Sequence, residues 1–332
     1  MQNPSTIPPI VHAYQLATGF AMTRSLSVLI RLGIPDLLNE AVMAVPEIAA
    51  RLGLDPTALF RFFRFLSKNG VVILEGDQCR LSPVGQFLRR DVPGSLAKGL
   101  ELLSYEPWQR SWEHMEFSLR TGNSAFEEVY QMPAWAYFEK HPEYGRPFNE
   151  WMTALSKMSA DTFLRTYDFS SFSSICDVGG GHGFLLKSIL SRYPMLQGIL
   201  YDLPFVVSGH ELEEFQDRAT IAGGSFFEKV PSADCLILKS ILHDWNDDKA
   251  LEILKNCAAA LNPGGKLLAM DMVIRDGGNP VGYFYDLHML VLLGGRERTG
   301  EEMQSLFEQA GLQILRFIPT GGPQEIIEAE KK

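Results

Sequence analysis

The chain has 332 residues, 46% of them hydrophobic and 21% charged, with 30 Lys and Arg against 40 Asp and Glu for a net charge of −10. That length suits two globular domains with sizeable cores. The acidic balance argues against nucleic acid as a partner, because phosphate binding wants clustered Lys and Arg. The four cysteines, Cys79, Cys176, Cys235 and Cys257, are far apart with no CxxC pair, which fits neither a zinc site nor a disulfide scaffold. The start MQNPSTIPPIVHAYQ lacks a basic region followed by an apolar one, and no run reaches the roughly 18 apolar residues of a membrane span. A cytoplasmic protein without a membrane partner is expected.

From about residue 10 to 165 the pattern is mostly helical, with apolar residues three and four apart in Ala17 to Ile30 and Trp108 to Leu119. Within it, residues 44–90 read as a winged helix-turn-helix. Val45-Pro46 starts one helix and Asp55-Pro56 another, and Val71 to Glu75 and Gln78 to Leu81 flank the turn Gly76-Asp77. The helix Pro56 to Lys68 carries Arg61, Arg64 and Lys68, as a DNA reader would. It also carries Phe60, Phe62, Phe63 and Phe65 nearly all round, and residues 20–98 hold only ten basic against seven acidic residues. A packing or dimerisation module is the favoured reading.

From about residue 172, five β-rich runs alternate with helical stretches: Ser174 to Val178, Gly198 to Tyr201, Ala219 to Ala222, Asp234 to Lys239 and Lys266 to Met272. Such alternation predicts a parallel, doubly wound α/β sheet. Leu312 to Phe317, a Gly-Gly-Pro turn and Glu325 to Ala329 predict a closing antiparallel hairpin. The two halves are expected to meet near residues 160–172.

The first of these strands runs into Asp177-Val178-Gly179-Gly180-Gly181-His182-Gly183 and then a helix. Glycines let backbone approach a ligand closely, and ligands sit at the carboxyl ends of such strands. The dinucleotide fingerprint fails because its third glycine falls on Phe184, and no Gly-Lys-Ser/Thr follows for a phosphate loop. An acid beside an ammonium-bearing tail is chemically sensible at Asp177. Asp202, at the end of the second strand in Tyr201-Asp202-Leu203-Pro204, can accept hydrogen bonds from ribose hydroxyls or cap a helix.

After the fourth strand comes Leu238-Lys239-Ser240-Ile241-Leu242-His243-Asp244-Trp245. A neutral imidazole at His243 can take a proton from a phenol, whose pKa is about 10. Two acids could orient it: Asp271, which ends the fifth strand, and Glu297, in Gly294-Gly295-Arg296-Glu297-Arg298-Thr299. Each could instead be an ordinary strand-end or loop charge. No compact Asp/Asn cluster offers oxygen ligands for magnesium, so no metal is expected.

Together these residues resemble the plant-type O-methyltransferase family, which includes the acetylserotonin (hydroxyindole) O-methyltransferase-like members. The pieces are DVGGGHG at 177–183, YDLP at 201–204, GGSFFEKVP at 223–231, LKSILHDW at 238–245, PGGKLL at 263–268 and GGRERT at 294–299. The resemblance implies a Rossmann-like class I methyltransferase sheet over 166–332. It also implies a winged-helix-like dimerisation domain over 1–100 and a helical region, 101–165, lining the acceptor pocket. The implied cofactor is S-adenosyl-L-methionine, leaving as S-adenosyl-L-homocysteine. Asp177, Gly179, Gly181 and Gly183 would hold its methionyl part, Asp202 its ribose with Leu203 alongside, and Ser225 and Phe226 its adenine, with Lys239 lining the pocket.

His243 would be the base, flanked by Asp271 and Glu297, for methylation of a hydroxyl on a small aromatic acceptor. Trp108, Met152, Met158, His288, Met289 and Leu292 would wall that acceptor, with Trp112, Phe148 and Phe284 as further candidates. A homodimer is implied. Two departures stand out: Ser225 replaces an acid found in many relatives, and Asp271 replaces Glu. N- or C-methylation, cofactor-assisted hydroxylation, and a DNA-binding regulator with a non-catalytic methyltransferase domain are the alternatives.

Overall fold

The computed structural model describes residues 8–332, which form two compact units, one up to Gln109 and one from Arg110. In the first unit, the helices Gly19–Arg31, Val45–Leu52 and Pro56–Lys68 surround a small antiparallel sheet. Its strands are β1 (Met43–Ala44), β2 (Val72–Glu75) and β3 (Gln78–Leu81), in the order β1-β3-β2. Asp55 caps the third helix by accepting from Ala58 N at 2.7 Å, and Pro56 fits its first turn because no backbone N–H is needed there. That helix buries Leu59, Phe63 and Leu66 on one face, with Leu29, Ile30 and Ile48 in the same core, whereas Phe65 is 40% exposed. The aromatic residues therefore do not all point into this unit. Ile10, Tyr14 and Phe20, on the helices Pro9–Ala17 and Gly19–Arg31, are 78%, 71% and 71% exposed.

The second unit is built on an eight-stranded sheet. Its parallel strands are β4 (Ser174–Val178), β5 (Gln197–Asp202), β6 (Ala219–Gly223), β7 (Ala233–Lys239) and β8 (Leu261–Ile274). The short β9 (Arg298–Thr299) pairs parallel with the end of β8. The hairpin β10 (Leu312–Pro319) and β11 (Gln324–Lys331) closes one edge antiparallel, giving the order β10-β11-β8-β7-β4-β5-β6. Strand β8 begins five residues before its expected start at Lys266, running through Asn262-Pro263-Gly264-Gly265 with a shift of register against β7.

Alternate residues of the central strands enter two cores. Cys176, Val178, Leu236 and Leu238 pack under the helices Asp247–Ala260 and Gly300–Gln309; Ile175, Cys235 and Ile237 pack under Phe184–Arg192 and the end of Pro142–Thr166. All four cysteines are buried and free. Strand order reverses between β4 and β7, so the crevice at their carboxyl ends is where a ligand fits.

Phe307 is fully buried in the first of these cores, on the helix Gly300–Gln309 that Thr299 and Glu302 start with a reciprocal capping box. Phe307→Ala should destabilise the second unit by about 3–5 kcal/mol. Urea unfolding followed by fluorescence would read this as a lowered midpoint with the same slope.

Candidate active site

The crevice opens at the glycine turn. Gly179, Gly181 and Gly183 have φ of 70°, 60° and 84°, which glycine adopts without cost. A Cβ on Gly179 would lie 2.3 Å from Ile241 Cδ1 and 3.7 Å from Phe226, so the turn is also closely packed. The lining comprises Asp177, the turn residues through His182, Phe184 and Lys239, together with Asn149, Met152, Thr153 and Ser156 of the helix Pro142–Thr166.

Asp177 is buried and its Oδ2 has no hydrogen bond. Burial pushes this carboxyl up to about 7, with the charge of Lys239 opposing. Burial in turn lowers Lys239, opposed by Asp177 and Asp271. Asp202 accepts from Gly181 N at 2.8 Å and from Leu203 N at 2.7 Å, tying the end of β5 to the glycine turn. It is not a helix cap; each oxygen keeps a second lone pair for a ligand. Ser225 Oγ accepts from Phe227 N at 3.3 Å, and the Phe226 ring packs edge-on against Phe227 and Trp245.

At the end of β7, Ser240 takes φ of 54°, held by its N–H to Met270 O at 3.0 Å and by Gln324 Nε2 donating to its hydroxyl at 2.8 Å. Backbone strain of this kind collects at functional sites. The single turn Leu242–Asp244 follows and carries His243. The imidazole is buried; its Nδ1 lies 2.7 Å from Glu297 Oε1, and its Nε2 lies 3.4 Å from Asp244 Oδ1 without a hydrogen bond. Burial alone favours the neutral ring, but the negative charges of Glu297, Asp244 and Asp271 outweigh it and push the imidazole up to about 10.

Of the two acids expected to orient His243, Glu297 makes the contact. Asp271 does not: it is fully buried with both oxygens unpaired, pushed up to about 6 by burial against the charge of His243. A side chain one methylene shorter than Glu leaves its carboxylate in electrostatic reach of both His243 and Lys239 but bonded to neither.

Residues 112–313 match the family described as O-methyltransferase domain, and residues 14–90 match its dimerisation domain. The chain belongs to the class I S-adenosylmethionine-dependent O-methyltransferases. A phenazine O-methyltransferase of Lysobacter antibioticus is 38% identical over 322 residues, 95% of this chain and 94% of its own. The crystal structure of human N-acetylserotonin methyltransferase, in complex with S-adenosylmethionine, matches 99% of both chains with a TM-score of 0.88 at 26% identity. The N,N-8-amino-8-demethyl-D-riboflavin dimethyltransferase of Streptomyces davawensis matches 98% of this chain and 100% of its own, with a TM-score of 0.76 at 28% identity. Among the described residues no helix is long and apolar enough to cross a membrane.

In this methyltransferase the expected acceptor residues divide. His288, Met289 and Leu292 are buried on the helix Pro280–Leu293, where Trp112 stacks on Phe284 and His288. Met152 instead lines the glycine-turn crevice. Met158 is 45% exposed and is not in that lining. Trp108 belongs to the first unit, buried beside Tyr105. Sequence reasoning missed Asn149, Thr153 and Ser156, whose only signal is a shared helical face one turn apart. It also gave no role to Asp244 or Arg298. Arg298 is fully buried and donates to Leu242 O and Trp245 O, both at 2.8 Å, and to Asp247 Oδ1 at 2.9 Å.

Replacing Glu297 with Gln removes the nearest negative charge from His243 while keeping the side chain's shape. The imidazole should then titrate at least one pH unit lower. Histidine NMR titration of wild type and Glu297→Gln checks this; an unmoved His243 would mean that its elevation comes from Asp244 and Asp271.

Proposed function

We propose that this enzyme methylates a hydroxyl of a small aromatic metabolite, with His243 as general base and Glu297 as the group that orients it. The observation that carries this reading is the buried contact of 2.7 Å between Glu297 Oε1 and His243 Nδ1, with Nε2 making no hydrogen bond. A carboxylate on Nδ1 fixes the ring's orientation and leaves Nε2 to receive a proton. The relatives described above are named for a phenazine, for N-acetylserotonin and for an aminoriboflavin, in keeping with the aromatic group of Trp112, Phe284 and His288.

The residues of the crevice fit S-adenosylmethionine. The unpaired, buried Asp177 oxygen suits its ammonium group, the glycine turn leaves room for its methionyl tail, and Asp202 has lone pairs left for its ribose. Phe226 supplies an apolar face for its adenine, whereas Ser225 can offer only a hydroxyl where many relatives have an acid. When bound, the cofactor supplies an electrophilic methyl on a positively charged sulfur. His243 Nε2 would take the proton of the acceptor hydroxyl, readying its oxygen for the methyl that the cofactor would supply. An imidazole near 10 matches a phenol of pKa about 10, so the proton moves between groups of similar affinity. At neutral pH most of the ring is protonated, and the neutral fraction grows as pH rises.

N-methylation is a second reading, favoured by the similarity to the riboflavin-type dimethyltransferase. The match to the dimerisation domain and the exposed Ile10, Tyr14 and Phe20 support a homodimer through the first unit. Sedimentation should then give twice the chain mass of 37.2 kDa.

Incubation with labelled S-adenosylmethionine and a panel of phenols and arylamines, read by product mass and by which heteroatom gains CH₂, tests the reaction. His243→Ala should keep cofactor affinity and lose about 10²–10⁴ in kcat on the phenol. Wild-type kcat/KM should rise with pH from 7 to 9. Undiminished turnover by His243→Ala would remove the imidazole from the mechanism.

A further inference from the structure

The helix Pro280–Leu293 packs against the turn Leu242–Asp244. On this helix His288 is 7% exposed and stacks with Trp112 and Phe284 at centroid distances of 5.8 and 5.2 Å. Trp112 and Phe284 are themselves within 4° of parallel. Trp112 Nε1 donates to His288 Nδ1 at 3.1 Å.

An indole nitrogen can only donate, so Nδ1 must keep its lone pair and the ring proton must sit on Nε2. A second ring proton would break the indole bond. Burial, and then the charge of His243, also keep the ring neutral, pushing it down to about 4. His288 is therefore held in one tautomer above that pH, with Nε2–H as a fixed donor. No described residue accepts from it. A bound molecule that carries an accepting oxygen can therefore pair with it.

We propose that His288 selects the acceptor: its Nε2–H donates to a carbonyl or carboxylate oxygen that the acceptor carries beside the hydroxyl to be methylated. The aromatic rings of Trp112 and Phe284 recognise a flat ring, and His288 adds the requirement for an adjacent oxygen that accepts but does not donate. A donor group in that place, such as a second hydroxyl with its proton turned inward, would meet a donor. The helix that carries His288 packs against the turn that carries His243, which puts this contact on the side of the reacting hydroxyl. The inference deepens the acceptor class within the methyltransferase reading.

The test is equilibrium binding to wild-type enzyme saturated with S-adenosyl-L-homocysteine, measured by calorimetry. The probes are 2-acetyl-1-naphthol and its isostere without the oxygen, 2-ethyl-1-naphthol. Wild type should bind the acetyl probe at least tenfold more tightly. His288→Leu should bring the two within about twofold, and His288→Asn, which keeps a donor, should restore part of the preference. Equal binding of the two probes by wild type overturns the proposal, as does a preference that survives His288→Leu. The readout needs no turnover, so a failure of His243 as base leaves it unmoved and is seen separately in the His243→Ala rates.

Discussion

The turn that carries His243 owes its shape to three consecutive residues, Arg296, Glu297 and Arg298. Arg296 N–H donates to His243 O at 2.9 Å, Glu297 bonds the imidazole, and Arg298 forks to the carbonyls of Leu242 and Trp245. A Cβ on Gly295 would fall 2.1 Å from His243 O, so only glycine admits the approach. The backbone and the ring of His243 are thus gripped from one segment, which is in turn anchored by Glu297 N–H donating to Asp286 at 3.0 Å. A guanidinium suits this place better than an ammonium, because its planar fork meets two carbonyls and a carboxylate at once. Its burial is tolerable only because each of those bonds is made.

Beside these bonds stand buried carboxylate oxygens that the protein leaves without a partner, Glu297 Oε2 of the same segment among them. Asp177 and Asp271 have unpaired oxygens, and Asp177, Asp244 and Asp271 are all pushed up by burial, to about 7, 7 and 6. A carboxyl raised in the folded state binds its proton more tightly there than in the unfolded chain. The folded state therefore loses stability as pH rises from about 4 to about 7. His243 has the same sense in a higher window: its raised affinity favours the folded state fully below about 6.5, and that stabilisation is lost as pH rises from about 6.5 to about 10. Negative charge concentrated beside the crevice is a cost without a ligand and an attraction for a sulfonium or ammonium cation, so stability and binding trade against each other here.

Much of this was legible in the sequence because it rests on local rules. The glycine turn, the strand alternation and the closing hairpin each follow from backbone requirements written in a few adjacent residues. His243 and Glu297 could be named through the resemblance carried by LKSILHDW and GGRERT, since alone each acid reads as readily as a strand-end or loop charge. Which of Asp271 and Glu297 touches the ring was not legible, because it depends on one methylene and on the path of a loop 54 residues away from His243. The polar face of Asn149, Thr153 and Ser156 was hidden for a similar reason. A helix read for its apolar stripe does not reveal which polar side faces a neighbour's crevice, and the same blindness hid that Met152 lines the glycine-turn crevice and that Met158 is 45% exposed.

The fold by itself does not separate O- from N-methylation, since a scaffold of the same kind serves the riboflavin-type dimethyltransferase. The site bears on the choice through proton bookkeeping. A neutral aromatic amine attacks through a lone pair it already has, and its proton can leave to water after the bond has formed. A phenol of pKa about 10 is a poor nucleophile until its proton goes. A buried imidazole, braced by a carboxylate and raised to about the phenol's own affinity, answers the second problem and does little for the first. Keeping a buried, charged cluster of His243, Asp244, Asp271 and Glu297 is costly to the fold, and that cost is understandable where a hydroxyl proton must be removed.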